Sequence, residues 1–428
     1  MDKLSNPNKE IEQPTQILII EDDEAQHRLL KDQVSDAFPI SEIDFATEGE
    51  TAWELLQEKN YELVILDWRL FGNIHGPALL NRLRHHENYQ QTPILVVSGY
   101  LKVEDFSLID EFPFTGCLHK PYRPVFLVKK MKDLFKECKW FRRKEIELCS
   151  LFSNATKDPS RFLPELIAVC EASPRPFLLL LHTIKILRVA NFYEEALSLL
   201  SRATTLNPSS VGLLSEEGKI MLAMGENKKA INALQKARKM SPKNLERLCD
   251  LGTLNLKELN TEAASEAFAE GLTIDPQNKI ANDGLKLTGN MDSFFKNTAP
   301  SRVPHSFAGL LNAIGIALVR GGDINTGISH YQSAINYANI DQDKAKLAFN
   351  LGLGYLKQDQ KNEAKAWFQQ SIDLEPAFAK PRKHLERINK FLAPKLQAEQ
   401  AENNKIKFDD SLASDPIPLF KVTENNPD

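Results

Sequence analysis

The chain has little of what would mark a secreted, membrane-bound or disulfide-built protein. Its five cysteines, at 117, 138, 149, 170 and 249, form no CxxC pair and are odd in number, which argues against a disulfide framework or a zinc site and for thiols in a reducing compartment. No apolar run reaches the length of a membrane span, and the first residues lack a signal peptide's apolar core, so a cytoplasmic location is expected. An excess of basic residues is missing too. With 53 Lys and Arg against 58 Asp and Glu, the formal charge of -5 gives no general electrostatic case for nucleic acid. The nine histidines show no HExxH spacing. At 428 residues the chain is too long for one ordinary core, and two or three domains are expected.

What is present is a repeated device in the first 120 residues. Four short apolar runs each end on a polar, reactive side chain: Ile17 to Ile20 before Glu21-Asp22-Asp23, Leu63 to Leu66 before Asp67, Ile94 to Val97 before Ser98, and Cys117 to His119 before Lys120. Such runs, rich in Val and Ile and separated by longer amphipathic stretches, read as buried parallel strands joined by crossover helices. In a sheet of this kind the carboxyl ends share one edge, where ligands bind. Glu21, Asp22, Asp67, Ser98 and Lys120 are therefore expected to meet in one shallow pocket. Three carboxylates brought together repel one another, so the site needs a cation, and hard oxygen donors favour Mg2+. A carboxylate beside that cation can attack a phosphoryl group and hold it as an acyl phosphate, with Lys120 as a point charge and the Ser98 hydroxyl as a hydrogen-bond donor.

The motifs IEDD (20 to 23), LDWRL (66 to 70), VVSGY (96 to 100) and HKPY (119 to 122), in this order and at these intervals, resemble the receiver domain of two-component response regulators over residues 14 to 137. The resemblance implies an α/β doubly wound, five-stranded parallel sheet. It also implies Glu21, Asp22 and Asp67 as Mg2+ ligands with the backbone carbonyl of Arg69, Asp67 as phosphoacceptor, and Ser98 and Lys120 as phosphoryl contacts. Pro121 resembles the family's cis-bonded proline. Two departures stand out: Leu70-Phe71 replaces the family's Met-Pro after the phosphoacceptor, and Cys117 occupies the place of its aromatic switch residue. Ser98, the loop 99 to 106 and Tyr100 remain as carriers of a signal.

From residue 143 onward the pattern is helical with a period. Pro208, Pro242 and Pro276 stand 34 residues apart, each after an apolar helix with small residues at fixed offsets: Ala196 and Ala203, Ala230 and Ala237, Ala264 and Gly271. This period and pattern resemble tetratricopeptide repeats, an all-α solenoid. Registered on the prolines, the units run 177 to 210, 211 to 244 and 245 to 278. Two more, within 305 to 378, lie at about 308 to 341 and at 345 to 378. Residues 138 to 176 read as connecting helices, with Pro174 closing a degenerate unit that serves as an opening cap. Residues 279 to 304 read as a helix and loop that break the period, 379 to 393 as a capping helix, and 1 to 13 and the acidic tail 394 to 428 as disordered. Phe408 and Leu419-Phe420 in that tail are candidates for docking into the groove.

Solenoids of this kind bind partners and rarely catalyse. By resemblance, the inner groove would carry Lys185, Arg188, Lys219, Lys257, Arg320 and Lys357, which suit an acidic peptide or helix. No DNA-binding module and no GGDEF, EAL or HD-type motif follows the receiver, so the expectation is a non-enzymatic response regulator. It would be phosphorylated by a histidine kinase or phosphotransfer protein and would act by phosphorylation-dependent contact with a partner protein. The alternatives are a phosphate sink and a constitutive repeat scaffold with a silent receiver. Residues 117 to 137 are the surface on which a homodimer would form.

Overall fold

The computed structural model describes residues 13–155, 159–299, 304 and 306–389. The sequence expectations for 1–12, for the end of the capping helix and for the acidic tail lie outside the described residues. The chain forms two compact units that part after Ser293.

The first unit opens with alternating strands and helices: β1 (Gln16–Ile20), α1 (Glu24–Ala37), β2 (Glu42–Ala46), α2 (Gly49–Glu58), β3 (Leu63–Leu66), α3 (Gly76–His85), β4 (Ile94–Ser98), α4 (Val103–Glu111) and β5 (Thr115–His119). All pairings are parallel, in the order β2-β1-β3-β4-β5. Successive strand residues point to opposite faces, and the sequence fills both with apolar groups. Leu18, Ile20, Val64, Leu66, Ile94 and Val96 pack with Ala52, Leu56, Leu79, Leu83, Leu108 and Ile109 of α2, α3 and α4. Ile17, Ile19, Leu63, Ile65, Leu95 and Val97 pack with Leu30 and Val34 of α1 and with Leu127, Met131 and Leu134 of the next helix, α5 (Pro124–Ala155). The doubly wound sheet read from the sequence is the observed one. The Lys120–Pro121 bond is cis.

The expected receiver boundary at 137 falls inside α5, a single helix of 32 residues. No Gly or Pro follows Pro124 in that span, so nothing in the local chemistry ends the helix there. Its second half, with Cys138, Phe141 and Leu148, packs with Leu166 and Cys170 of α6 (Pro159–Glu171) and with α7 (Pro176–Val189) in a core that also takes in Phe114 of the receiver. The receiver's last helix thus runs without a break into the helices that follow.

Helix pairs follow: α7 with α8 (Tyr193–Leu206), α9 (Val211–Ala223) with α10 (Asn227–Met240), and α11 (Leu245–Lys257) with α12 (Thr261–Ile274), then α13 (Lys279–Asn297). The 34-residue period appears in the backbone as well as in the sequence. The turns inside the three pairs hold Asn191, Gly225 and Leu259 at positive φ, 34 residues apart. In each, the following N–H reaches five residues back: Phe192 to Leu187, Glu226 to Met221 and Asn260 to Asn255, satisfying a helix-end carbonyl. The second helices stop at Leu206, Met240 and Ile274, two residues before the prolines. Close packing within a pair requires a small residue on the first helix. A Cβ on Gly218 would come 2.6 Å from Leu234, and one on Gly252 would come 2.5 Å from Phe268, sixteen residues on in both cases.

The second unit repeats this construction. Its pairs are α14 (Phe307–Gly321) with α15 (Ile324–Tyr337) and α16 (Asp341–Lys357) with α17 (Lys361–Leu374), and residues 379–389 are helical. Gly315 meets Tyr331 and Gly352 meets Phe368 at the same sixteen-residue offset.

Candidate functional site

The site is assembled by strand ends. β1 delivers Glu21 and Asp22, β3 delivers Asp67, β4 ends on Ser98, and Lys120 follows β5. Because β1, β3, β4 and β5 are adjacent and parallel, these groups converge as expected. Carboxylate oxygens of Glu21, Asp22 and Asp67 all lie within 4.8 Å of one another. Lys120 Nζ bridges two of them, 2.8 Å from Glu21 Oε2 and 2.7 Å from Asp67 Oδ2. Asp23, the third acid of the run, is used elsewhere: its Oδ1 accepts from the N–H groups of Ala25 and Gln26 and caps α1.

Electrostatics follow from this crowding. Burial, with the neighbouring Asp67, pushes the Glu21 carboxyl up to about 7. Asp22 is raised for the same two reasons. Burial works against the Lys120 charge, but hydrogen bonds to Asp67 and Glu21 outweigh it and hold its pKa above the usual value. Glu21 Oε1 is buried and has no hydrogen-bond partner. An orphaned carboxylate oxygen beside two further acids is a donor set for a hard cation, so these residues fit the Mg2+ read from the sequence. Lys120 supplies only one positive charge against three carboxylates.

The rim carries the remaining expected residues. Arg69 N donates to Asp67 Oδ1 at 3.1 Å, and the exposed Arg69 guanidinium stacks on the Tyr100 ring at 4.1 Å. Ser98 is buried, and its Oγ accepts from Tyr100 N at 3.3 Å. Cys117 is half-buried against the core under α4, and burial raises its thiol pKa.

Of the expected groove cations in the first unit, Arg188 is paired with Glu216 at 2.9 Å and Lys219 with Glu246 at 2.6 Å. Together with Lys185 they line a cavity of about 710 Å³ whose other wall includes His85 and Phe112 of the receiver. These three side chains therefore face the chain's own receiver. Lys257 is half-buried, and burial lowers its pKa. In the second unit Lys357 Nζ donates to Val319 O at 3.0 Å, and Arg320 is exposed.

Sequence reasoning missed the polar contacts that hold the receiver to the repeats. Arg82 on α3 forms two 2.7 Å bonds with Asp275, and Asn81 caps α11 by accepting from Leu245 N at 3.0 Å. Glu111 on α4 pairs with Arg247, both almost fully buried, and Asp105 takes Lys243 at 2.6 Å. These partners are more than 130 residues apart, and no local signal in the sequence joins them.

Comparison with known proteins defines the two parts. Residues 17–132 match the family model of the response regulator receiver domain, and residues 345–378 that of a tetratricopeptide repeat. The chain carries a response regulator receiver domain followed by a TPR-like all-α region. Chemotaxis protein CheY-3 of Vibrio cholerae is 26% identical over 120 residues, 28% of this chain and 91% of that protein. The transcriptional regulatory protein SrrA of Staphylococcus aureus is 32% identical over 125 residues, 28% of this chain and 48% of that protein. Among solved structures, a response regulator from Chloroflexus aurantiacus is 27% identical, covers 29% of this chain and 99% of its own, and has a TM-score of 0.27.

Proposed function

We propose that this protein is the response regulator of a two-component system or phosphorelay. In this reading it takes a phosphoryl group on Asp67 from the phosphohistidine of a kinase or phosphotransfer protein and controls a partner protein through its repeats. The observation that carries this is the cluster of Glu21, Asp22 and Asp67 with Lys120 on Asp67 and a buried, unpartnered Glu21 oxygen. Glu21, Asp22, Asp67 and the Arg69 carbonyl would hold Mg2+, which when bound neutralises charge on phosphoryl oxygens. Asp67 attacks phosphorus in line. The new O–P bond forms as the donor's N–P bond breaks, and the imidazole leaves with the electron pair and takes up a proton. Lys120 holds an Asp67 oxygen and meets the incoming charge, and the buried Ser98 hydroxyl donates to a phosphoryl oxygen.

The repeats supply the output. With Arg188 and Lys219 already neutralised within the first unit, an acidic partner segment is best served by the second unit, where Arg320 and Lys357 lie. A cytoplasmic location goes with this role. A phosphate sink is the second reading, and it requires partner affinity indifferent to phosphorylation.

The test is intact mass after incubation with acetyl phosphate. Wild type with Mg2+ should gain one phosphoryl group; Asp67→Asn, and wild type with chelator, should not. Equal gain in Asp67→Asn would overturn the assignment.

A further inference from the structure

Leu178, Leu181, His182, Lys185, Ile186 and Val189 follow one another along α7 at the three- and four-residue steps that bring side chains to one side of a helix. All six line the cavity of about 710 Å³ between the receiver and the repeats. Phe141, Glu145 and Phe152 of α5 line it too, as do Glu216 and Lys219 of α9 and Glu246 of α11. The receiver supplies His85, Phe112 and Pro113.

Two chemistries meet in this space. One is aromatic and aliphatic: Phe112, Phe141 and Phe152 stand with Leu178, Leu181 and Ile186. Two of the rings are set by edge-on contacts, Phe141 with His182 at 5.0 Å and Phe112 with His85 at 6.1 Å. The other is charged, and most of it is already matched. Arg188 is paired with Glu216, Lys219 and His85 share Glu246, and His182 lies 3.0 Å from Glu145. Among the described residues Lys185 has no ion pair and no hydrogen bond. Arg84, Lys185, Arg188 and Lys219 stand against Glu145, Glu216 and Glu246, so one positive charge is left over even with both histidines neutral. Asp250 lines the smaller cavity alongside and not this one.

We infer that this cavity is a binding site for a small aromatic monocarboxylate, with Lys185 taking the carboxylate and the phenylalanines the ring. Its volume falls within the range of about 300–1,000 Å³ for small-molecule sites, which favour domain interfaces and combine an apolar lining with a few polar anchors. A lysine on its flexible stem offers a point charge suited to one carboxylate. A ligand with two negative charges would exceed the single cation left over and face Glu216 and Glu246 as well. A molecule held here touches receiver and repeats together, so its binding stabilises their packing by mass action. The site is separate from the acidic cluster that ends β1 and β3 and requires no phosphoryl group.

Calorimetric titration of the full chain tests this with 2-naphthoate and with its neutral counterpart 2-naphthamide. Wild type should bind one equivalent of 2-naphthoate, at least about tenfold more tightly than 2-naphthamide. Lys185→Met should weaken 2-naphthoate by about tenfold or more and leave 2-naphthamide within about twofold, which a general loss of structure would not do. Lys185→Arg keeps the charge and should restore 2-naphthoate to within about threefold of wild type, and the exposed-site control Lys228→Met should bind as wild type does. No saturable binding of 2-naphthoate at millimolar concentration would overturn the inference. So would equal affinity for acid and amide in wild type, or a Lys185→Met protein that binds 2-naphthoate as tightly as Lys228→Met does.

Discussion

Replacing Arg247 by methionine should be among the most damaging single changes available in the first unit, although it touches neither a strand nor the acidic site. The guanidinium is 2% exposed and meets a Glu111 side chain that is 5% exposed. It also donates to the carbonyls of Ala237 and Ser241 and to Ser215. Methionine fills much of the same volume, so the loss is polar. An orphaned buried carboxylate costs about 3–5 kcal/mol and loss of the bond to the Ser241 carbonyl about 1 kcal/mol more, while the Ala237 carbonyl keeps the Ser241 N–H. Asn244 and Ser215 still reach Glu111 and offset part of this, leaving about 4 kcal/mol. At a urea dependence of about 2–3 kcal/mol/M, the midpoint falls by about 1.5 M. The diagnostic comparison is the double variant Arg247→Met with Glu111→Leu, which removes both charges and should be less harmful than Arg247→Met alone. Urea unfolding of the full chain provides both numbers. The reasoning fails if Arg247→Met moves the midpoint no more than the exposed-site control Lys228→Ala, or if the two changes simply add.

Gly252→Ala should cost about 1–3 kcal/mol by driving a methyl into the Phe268 ring, read as a lower thermal midpoint. Asp250 titrates at about 6, raised first by burial and then by Glu246. A folded pKa above the unfolded 3.8 means that the group weakens the fold as pH rises from about 4 to 6. Asp250→Asn should therefore stabilise by at most about 3 kcal/mol above pH 6 and not at all below pH 4, as measured by urea midpoints across pH. Glu21→Gln should weaken Mg2+ binding at least tenfold, about 1.4 kcal/mol, by isothermal titration. Lys120→Ala should slow phosphoryl uptake by about a hundredfold or more in the acetyl phosphate assay.

Much of this was legible because burial writes itself into sequence. β1, β3 and β4 are covered on both faces and read as unbroken apolar runs, so the polar residues that end them stand out. β2 was the strand without such a signature: Glu42 to Ala46 is an edge strand of mixed character, paired on one side only. The repeats were visible through prolines and small residues, which act locally at helix ends and helix crossings. Leu259 broke the local rule, since a branched residue at positive φ is held there by the helix pair and not by its own preference. Helical character on both sides of residue 137 was legible, but that one unbroken helix, α5, runs through Pro124–Ala155 was not, because no local signal marks its continuation. The Arg82, Asp105 and Glu111 contacts were illegible for a different reason: exposed-looking charges carry no mark of their distant partners until the chain is folded.

The central claim is that Asp67 is the residue that holds the phosphoryl group. After incubation with acetyl phosphate and Mg2+, borohydride reduction converts an aspartyl phosphate to homoserine, and peptide mass mapping locates it. The account predicts homoserine at position 67 and nowhere else. Homoserine at another aspartate, or an unmodified Asp67 in protein that has gained a phosphoryl group, would contradict it.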